Sequence, residues 1–243
     1  MYKHCAIDLT PIVTHICNLT LSCGHLPAAW KHSIVTPIPK VNPPQQPSDL
    51  RHISVTPILS RCFEKLFVKH HFFPALPASN LQDQFAFRPI GSTTNALIHI
   101  FGNVTRLLDS NSYVRCIFID FSKASIRFVM KFYSKNLLPS IFPQYVINWL
   151  GHFLTVRTQS VGQSASLQII RSIVQGSGIG PYAFLVMIAD LQPSHPDICY
   201  SKYADDLTAV IPAAISHLAV SEFRHINDWS ATNKLLIIGI RVR

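Results

Sequence analysis

Two short apolar segments that end on carboxylates limit the fold more than any other feature of the chain. Tyr200–Ile211 (YSKYADDLTAVI) is apolar at both ends and acidic in the middle, a pattern that reads as strand, acidic turn, strand. Val114–Asp120 (VRCIFID) reads as another short apolar strand, and its terminal Asp120 lies 85 residues before Asp205. If these strands are neighbours in one sheet, Asp120, Asp205 and Asp206 meet at one edge. Like charges that close repel and raise one another's pKa. A divalent cation relieves the repulsion, and magnesium prefers carboxylate and phosphate oxygens. Two such ions about 3.5–4 Å apart can activate an attacking hydroxyl and stabilise a leaving oxygen in phosphoryl transfer. The plainer reading of Asp205-Asp206 is turn chemistry, since aspartate tolerates turn conformations and favours water. Spacing alone leaves both readings open.

Helical and extended patterns interleave along the rest of the chain. Residues 7–23 carry apolar side chains at helical spacing, and Gly24 and Pro27 end that helix. Residues 33–39 (SIVTPIP) alternate like a strand, and residues 40–48 (KVNPPQQPS) form a proline-rich loop. Residues 57–74 have the period of an amphipathic helix, with Pro57 at its start and Pro74 beyond its end. A further helix is predicted over 92–108, capped by Ser92 or Thr93, and another over 180–191 after a glycine-rich turn. No βαβ repeat is regular, so an α+β domain fits best. Trp30 and Trp149 read as core, and His70-His71 as non-ligands, because no metal-ligand spacing accompanies them.

Composition narrows the classes. With 48% hydrophobic and 14% charged residues, the chain is no disordered polyelectrolyte and can bury a core. No apolar run approaches the roughly 18 residues needed to cross a bilayer, so no membrane partner is expected. Asn136–Val156 and Ser172–Ala189 come nearest, and prolines, glycines and polar residues interrupt both. The first residues lack the form of a secretory signal. Six cysteines without zinc spacing read as buried or free thiols in a reducing compartment. Lysine plus arginine is 21 against 12 acids, a net charge of +9. That surplus suits a polyanionic partner and equally suits a merely basic protein. Where acids are scarce, an adjacent pair such as Asp205-Asp206 carries more weight.

Six blocks, in order, carry a resemblance. They are IVTPIPK (Ile34–Lys40), DLRHISVTP (Asp49–Pro57), QFAFRPIGSTTNAL (Gln84–Leu97), FIDFSKA (Phe118–Ala124), QGSGIGP (Gln175–Pro181) and KYADDL (Lys202–Leu207). From about Thr10 to Leu236 the chain closely resembles the reverse transcriptase domain of non-LTR, LINE-type (jockey-like) retrotransposons. The resemblance implies a right-hand polymerase fold with fingers, an antiparallel palm sheet and a thumb. It implies an RNA-directed DNA polymerase working on an RNA template, a DNA primer and deoxynucleoside triphosphates. Asp120 and Asp205 match the aspartates that hold two Mg2+ ions, and Asp206 matches the supporting second aspartate of the pair. Lys40 and Arg51 match finger residues that grip the incoming triphosphate, and Gln175 and Gly176 match the turn against the template-base and nucleotide pocket. Phe87 and Arg88 match the finger segment near the template; Phe87 divides evenly between that contact and core packing. The family implies nuclear or cytoplasmic placement.

The sequence also departs from the family pattern. Ser125 stands where the family places the phenylalanine that excludes a 2′-hydroxyl, several residues are missing after it, and His52 replaces a proline. After Leu236 the family continues into NxxKT, a palm strand and the thumb, whereas this segment reads IIGIRVR, so the NxxKT lysine and the thumb are expected to be absent. The division expected from this is a fingers-like region over 1–113 and a palm-like region over 114–243, incomplete at its C-terminus, with thumb and endonuclease absent. A truncated copy of this kind is expected to be weakly active or inactive. The alternative is a non-catalytic nucleic-acid-binding remnant.

Overall fold

The computed structural model describes residues 5–75, 81–88, 90–121, 142–169 and 176–243. Along the chain these form helix α1 (Ala6–Cys23), strands β1 (His32–Pro39) and β2 (Leu50–Val55), helices α2 (Ile58–Phe67) and α3 (Thr93–Leu108), and strand β3 (Val114–Phe121). Then come α4 (Gln144–Leu154), β4 (Arg157–Val161), β5 (Leu167–Ile169), α5 (Gly180–Ile188), β6 (Cys199–Tyr203), β7 (Asp206–Pro212), α6 (Ala219–Asn233) and β8 (Ile237–Val242). Two compact units result, each of two pieces: Met1–Ala75 with Val129–Gly180, and Leu76–Phe128 with Pro181–Arg243. Among the described residues no helix is long and apolar enough to cross a membrane.

The first unit holds a mixed sheet of order β2-β1-β4-β5. β1 runs antiparallel to β2 and parallel to β4, and β4 runs antiparallel to β5. Its core is aromatic because α2 spaces Ser60, Phe63, Glu64 and Phe67 at i, i+3, i+4 and i+7, one buried stripe. Trp149 of α4 stacks on Phe67 at 4.2 Å between ring centres and on Phe153 at 5.2 Å, and Phe63 meets it edge-on at 5.3 Å. Trp30 joins the cluster beside Phe63, so both tryptophans are core as expected. Gly24 ends α1 in the left-handed conformation, at φ 65°, which glycine adopts without steric cost.

The helix expected over 57–74 starts after Pro57, but Pro74 lies within its last turn. The helix widens to a π turn over Val68–Phe72, and Phe73 donates to the carbonyl of Val68, five residues back. Proline has no N–H and crowds the carbonyl four residues before it, which a wider preceding turn accommodates.

The second unit holds an all-antiparallel sheet of order β6-β7-β3-β8. Ile117, Ile119 and Phe121 of β3 share a buried face with Leu207, Ala209 and Ile211 of β7. Trp229 of α6 meets Phe121 at 5.7 Å and donates from Nε1 to Asp190 Oδ1 at 2.9 Å. α3 starts at a Ser92 cap, whose Oγ accepts from the amide of Asn95 at 3.1 Å. The sequence pattern did not suggest α4, α6 or β8. Residues 237–242 pair along β3 and complete four strands.

Candidate functional site

The antiparallel register sets the carboxylates. Ile119 faces Leu207 and Asp120 faces Asp206, so alternation points Asp120 and Asp206 out of one face of the sheet, opposite the apolar face. Asp205 occupies the turn, and its carbonyl accepts from the amide of Phe121 at 3.0 Å, which ties the turn to the end of β3. Burial first, then the charges of Asp205 and Asp120, hold the Asp206 carboxyl above the usual carboxylate range. On β8, Gly239 stands opposite Asp120, and a side chain there would meet the Asp120 Cβ at 3.5 Å. An open hollow of about 590 Å3 lies over this face, with Asp120, Asp206, Arg241 and Arg243 among its walls. Two cations and two carboxylates thus face one space.

The turn between β6 and β7 is held from outside the sheet. Asp83 and Gln84 run beside the edge strand β6 in a parallel bridge between Gln84 and Lys202. The Lys202 amide donates to Asp83 O at 2.6 Å, and the Phe85 amide donates to Lys202 O at 2.9 Å. Lys202, 1% exposed, pairs through Nζ with Asp83 at 2.7 Å and donates to Leu191 O. The fully buried Gln84 side chain accepts from the amides of Ala86 at 2.9 Å and Ala204 at 3.2 Å. Ala204 itself sits at φ 53°, in the left-handed region.

The first unit carries the remaining candidates. Lys40 follows β1, and its amide donates to Asp49 O at 2.7 Å, extending the hairpin ladder in which Ile38 faces Arg51. That register sets Lys40 and Arg51 on one face at one end of the hairpin, both exposed. Gly176 has φ 111°, and a Cβ there would stand 2.6 Å from the Ser54 carbonyl of β2, so only glycine fits this close approach. Glu64, fully buried on α2, accepts from the amides of Gly178 at 2.5 Å and Ile179 at 3.3 Å, and from Ser60 Oγ at 3.0 Å. Burial pushes its carboxyl pKa up against those bonds. Gln175 and Ser125 lie outside the described residues.

The model of a protein family, reverse transcriptase (RNA-dependent DNA polymerase), matches residues 38–237. The chain belongs to the reverse transcriptase family. One relative of this reverse transcriptase chain is the probable RNA-directed DNA polymerase from transposon X-element of Drosophila melanogaster. It is 25% identical over 235 residues, which cover 90% of this chain and 25% of the relative, so the chain spans a quarter of that protein. Candida tropicalis telomerase with the TWJ fragment of telomeric RNA has the same fold at a TM-score of 0.59 and 10% identity, over 90% of this chain and 42% of that one. The apo form of the same telomerase matches at 0.57 and 12% identity, over 88% and 44%. Candida albicans telomerase matches at 0.54 and 12%, over 88% and 43%. The fold is therefore the α+β fold of polymerase fingers and palm.

Reverse transcriptases use divalent metal ions. Among the described residues no three ligating side chains form a ready cage. The donors nonetheless fit such ions in kind. Asp120 and Asp206 pair across β3 and β7 with Asp205 in the adjoining turn, no described lysine or arginine is ion-paired to them, and burial, then the charges of Asp205 and Asp120, raises the Asp206 carboxyl.

Of the family segment near the template, Phe87 is 44% exposed at φ 56° and so is not core. Arg88 turns part of its guanidinium inward, with Nη1 donating to the carbonyls of Leu81 and Gln84. Gln84, Lys202 and Glu64 were not singled out as single residues in the sequence. Glu64 was the legible one, since a glutamate on the apolar stripe of a helix must find buried partners.

Proposed function

We propose that this chain is the fingers-and-palm portion of a retrotransposon RNA-directed DNA polymerase, with residues 1–113 serving as fingers and 114–243 as palm. The reaction is attack of a primer 3′-hydroxyl on the α-phosphate of a deoxynucleoside triphosphate, with pyrophosphate leaving. The observation that carries this reading is the register pairing of Asp120 with Asp206, with Asp205 in the adjoining turn. Asp120 and Asp205 would hold two Mg2+ ions, with Asp206 in support. When bound, these ions supply activation of the attacking hydroxyl and charge stabilisation on the leaving oxygen.

Other residues of the chain supply binding. Lys40 and Arg51 meet the triphosphate, where cations offset charge on the transferring group, and Arg51 can take phosphate oxygens bidentately. Gln175 and Gly176 would contact the template base and nucleotide, where the close approach of Gly176 to the Ser54 carbonyl leaves no room for a side chain. Phe87 offers an exposed ring to the template strand, and Arg88 retains donors beyond its Nη1. The RNA template and DNA primer are the partners.

Ser125, in place of the aromatic residue that excludes a 2′-hydroxyl, and the shortened segment behind it argue for weak activity or none. Misplacing reacting groups by about 1 Å can cost on the order of a hundredfold in rate. Primer extension on an RNA template with Mg2+ tests both parts, with Asp205→Ala as control. The expected outcome is faint extension that Asp205→Ala abolishes. Robust, Asp205-dependent extension would refute inactivity and keep the site. Extension indifferent to Asp205→Ala would remove the site itself.

A further inference from the structure

We infer that Gln84 is a positioning residue for the aspartate turn, holding Ala204 in its left-handed conformation and thereby aiming Asp205 at the metal ions. The inference rests on the carboxylate site proposed above. Its basis is geometric. Ala204 has φ 53°, a region that costs an L-residue steric energy and is kept only where the surroundings impose it. Its amide lies in the two-residue turn, outside the ladder, and donates to Gln84 Oε1 at 3.2 Å. The same oxygen takes the amide of Ala86 at 2.9 Å, so one carbonyl joins the Gln84 loop to the residue just before Asp205. Two backbone donors on one atom also identify that atom as the oxygen of the amide.

The anchor behind Gln84 is rigid. The Gln84 side chain is fully buried, so it has no freedom to swing away. On either side, Asp83 and Phe85 form backbone bonds with Lys202, and the Lys202 ammonium is paired with Asp83 inside the protein. A loop clamped this way to β6 passes its position to the turn that β6 enters. Without the Gln84 oxygen the Ala204 amide loses its buried acceptor, and the two-residue turn between Tyr203 and Asp206 is left to hold Ala204 at positive φ, which costs an alanine steric energy. Relaxation of Ala204 would turn the Tyr203–Ala204 peptide, whose N–H Gln84 holds, and shift Asp205, the next residue.

Mn2+ serves as the probe, with its affinity for the full chain read by electron paramagnetic resonance, alongside a thermal melt. The variants are Asp205→Ala, Gln84→Met, which keeps volume and removes the acceptor, and Gln84→Met combined with Ala204→Gly. Asp205→Ala should reduce Mn2+ affinity more than tenfold. Gln84→Met should weaken it about fivefold or more, and adding Ala204→Gly should recover most of the loss, because glycine holds positive φ unaided. Gln84→Met within twofold of the parent, with Asp205→Ala impaired, would overturn the inference and keep the site. A Gln84→Met loss that Ala204→Gly does not recover would also overturn it, as a packing effect. Should Gln84→Met lack a cooperative melt, Gln84→Asn, too short to span both amides, takes its place, and the same two results overturn the inference. Mn2+ affinity untouched by Asp205→Ala would overturn the carboxylate site beneath.

Discussion

Asp206 shows how a single position on this sheet is loaded. Its carboxyl is held above the usual range by burial, then by Asp205 and Asp120. Such a group binds its proton more tightly folded than unfolded. Its contribution to stability is therefore complete below the ordinary aspartate pKa, near 4, and is lost as pH rises through the raised folded value. Asp206→Asn removes the charge, so we expect a higher melting midpoint at neutral pH, reflecting a stability gain of no more than about 1 kcal/mol after solvent screening. The gain should vanish near pH 3, where the native aspartate is protonated, and thermal melts at both pH values check this. The three aspartates were legible in the sequence because each ends or interrupts an apolar strand. Gln84 was not, because its one useful property, an oxygen facing the amides of residues 86 and 204, exists only after the loop has docked.

Elements differ in how openly they declare themselves. The β6–β7 hairpin and β3 were readable because apolar runs broken by acids have few other folds. α4 was hidden, because its buried face is nearly continuous and its strongest partners lie on α2. Trp149→Ala should cost about 3–5 kcal/mol, the usual loss for a fully buried aromatic residue, and urea denaturation measures it. Glu64 joins α2 to the glycine turn, and removing it strands two amides and deprives the buried Arg157 of a nearby negative charge. We expect Glu64→Ala to cost about 3 kcal/mol by leaving those donors unsatisfied. Faster hydrogen exchange confined to residues 176–180 would separate this local effect from general loosening.

At the scale of the whole molecule the surplus of nine positive charges bears on the proposed binding of nucleic acid. Single-stranded RNA binding, followed by fluorescence anisotropy, should weaken on the order of tenfold or more between roughly 50 and 200 mM salt, as phosphate contacts release counterions. Salt-insensitive binding would show that this charge does not meet the nucleic acid. The linear order of residues was enough to specify an α+β chain, the strands and turn carrying Asp120, Asp205 and Asp206, and the family, because apolar period and ordered motifs are local properties. It could not specify that Asp120 faces Asp206, that residues 237–242 complete the sheet, or that Gln84 and Glu64 each close a turn. Those outcomes depend on strand register and on buried donors finding acceptors far along the chain, and only packing in three dimensions selects among such pairings.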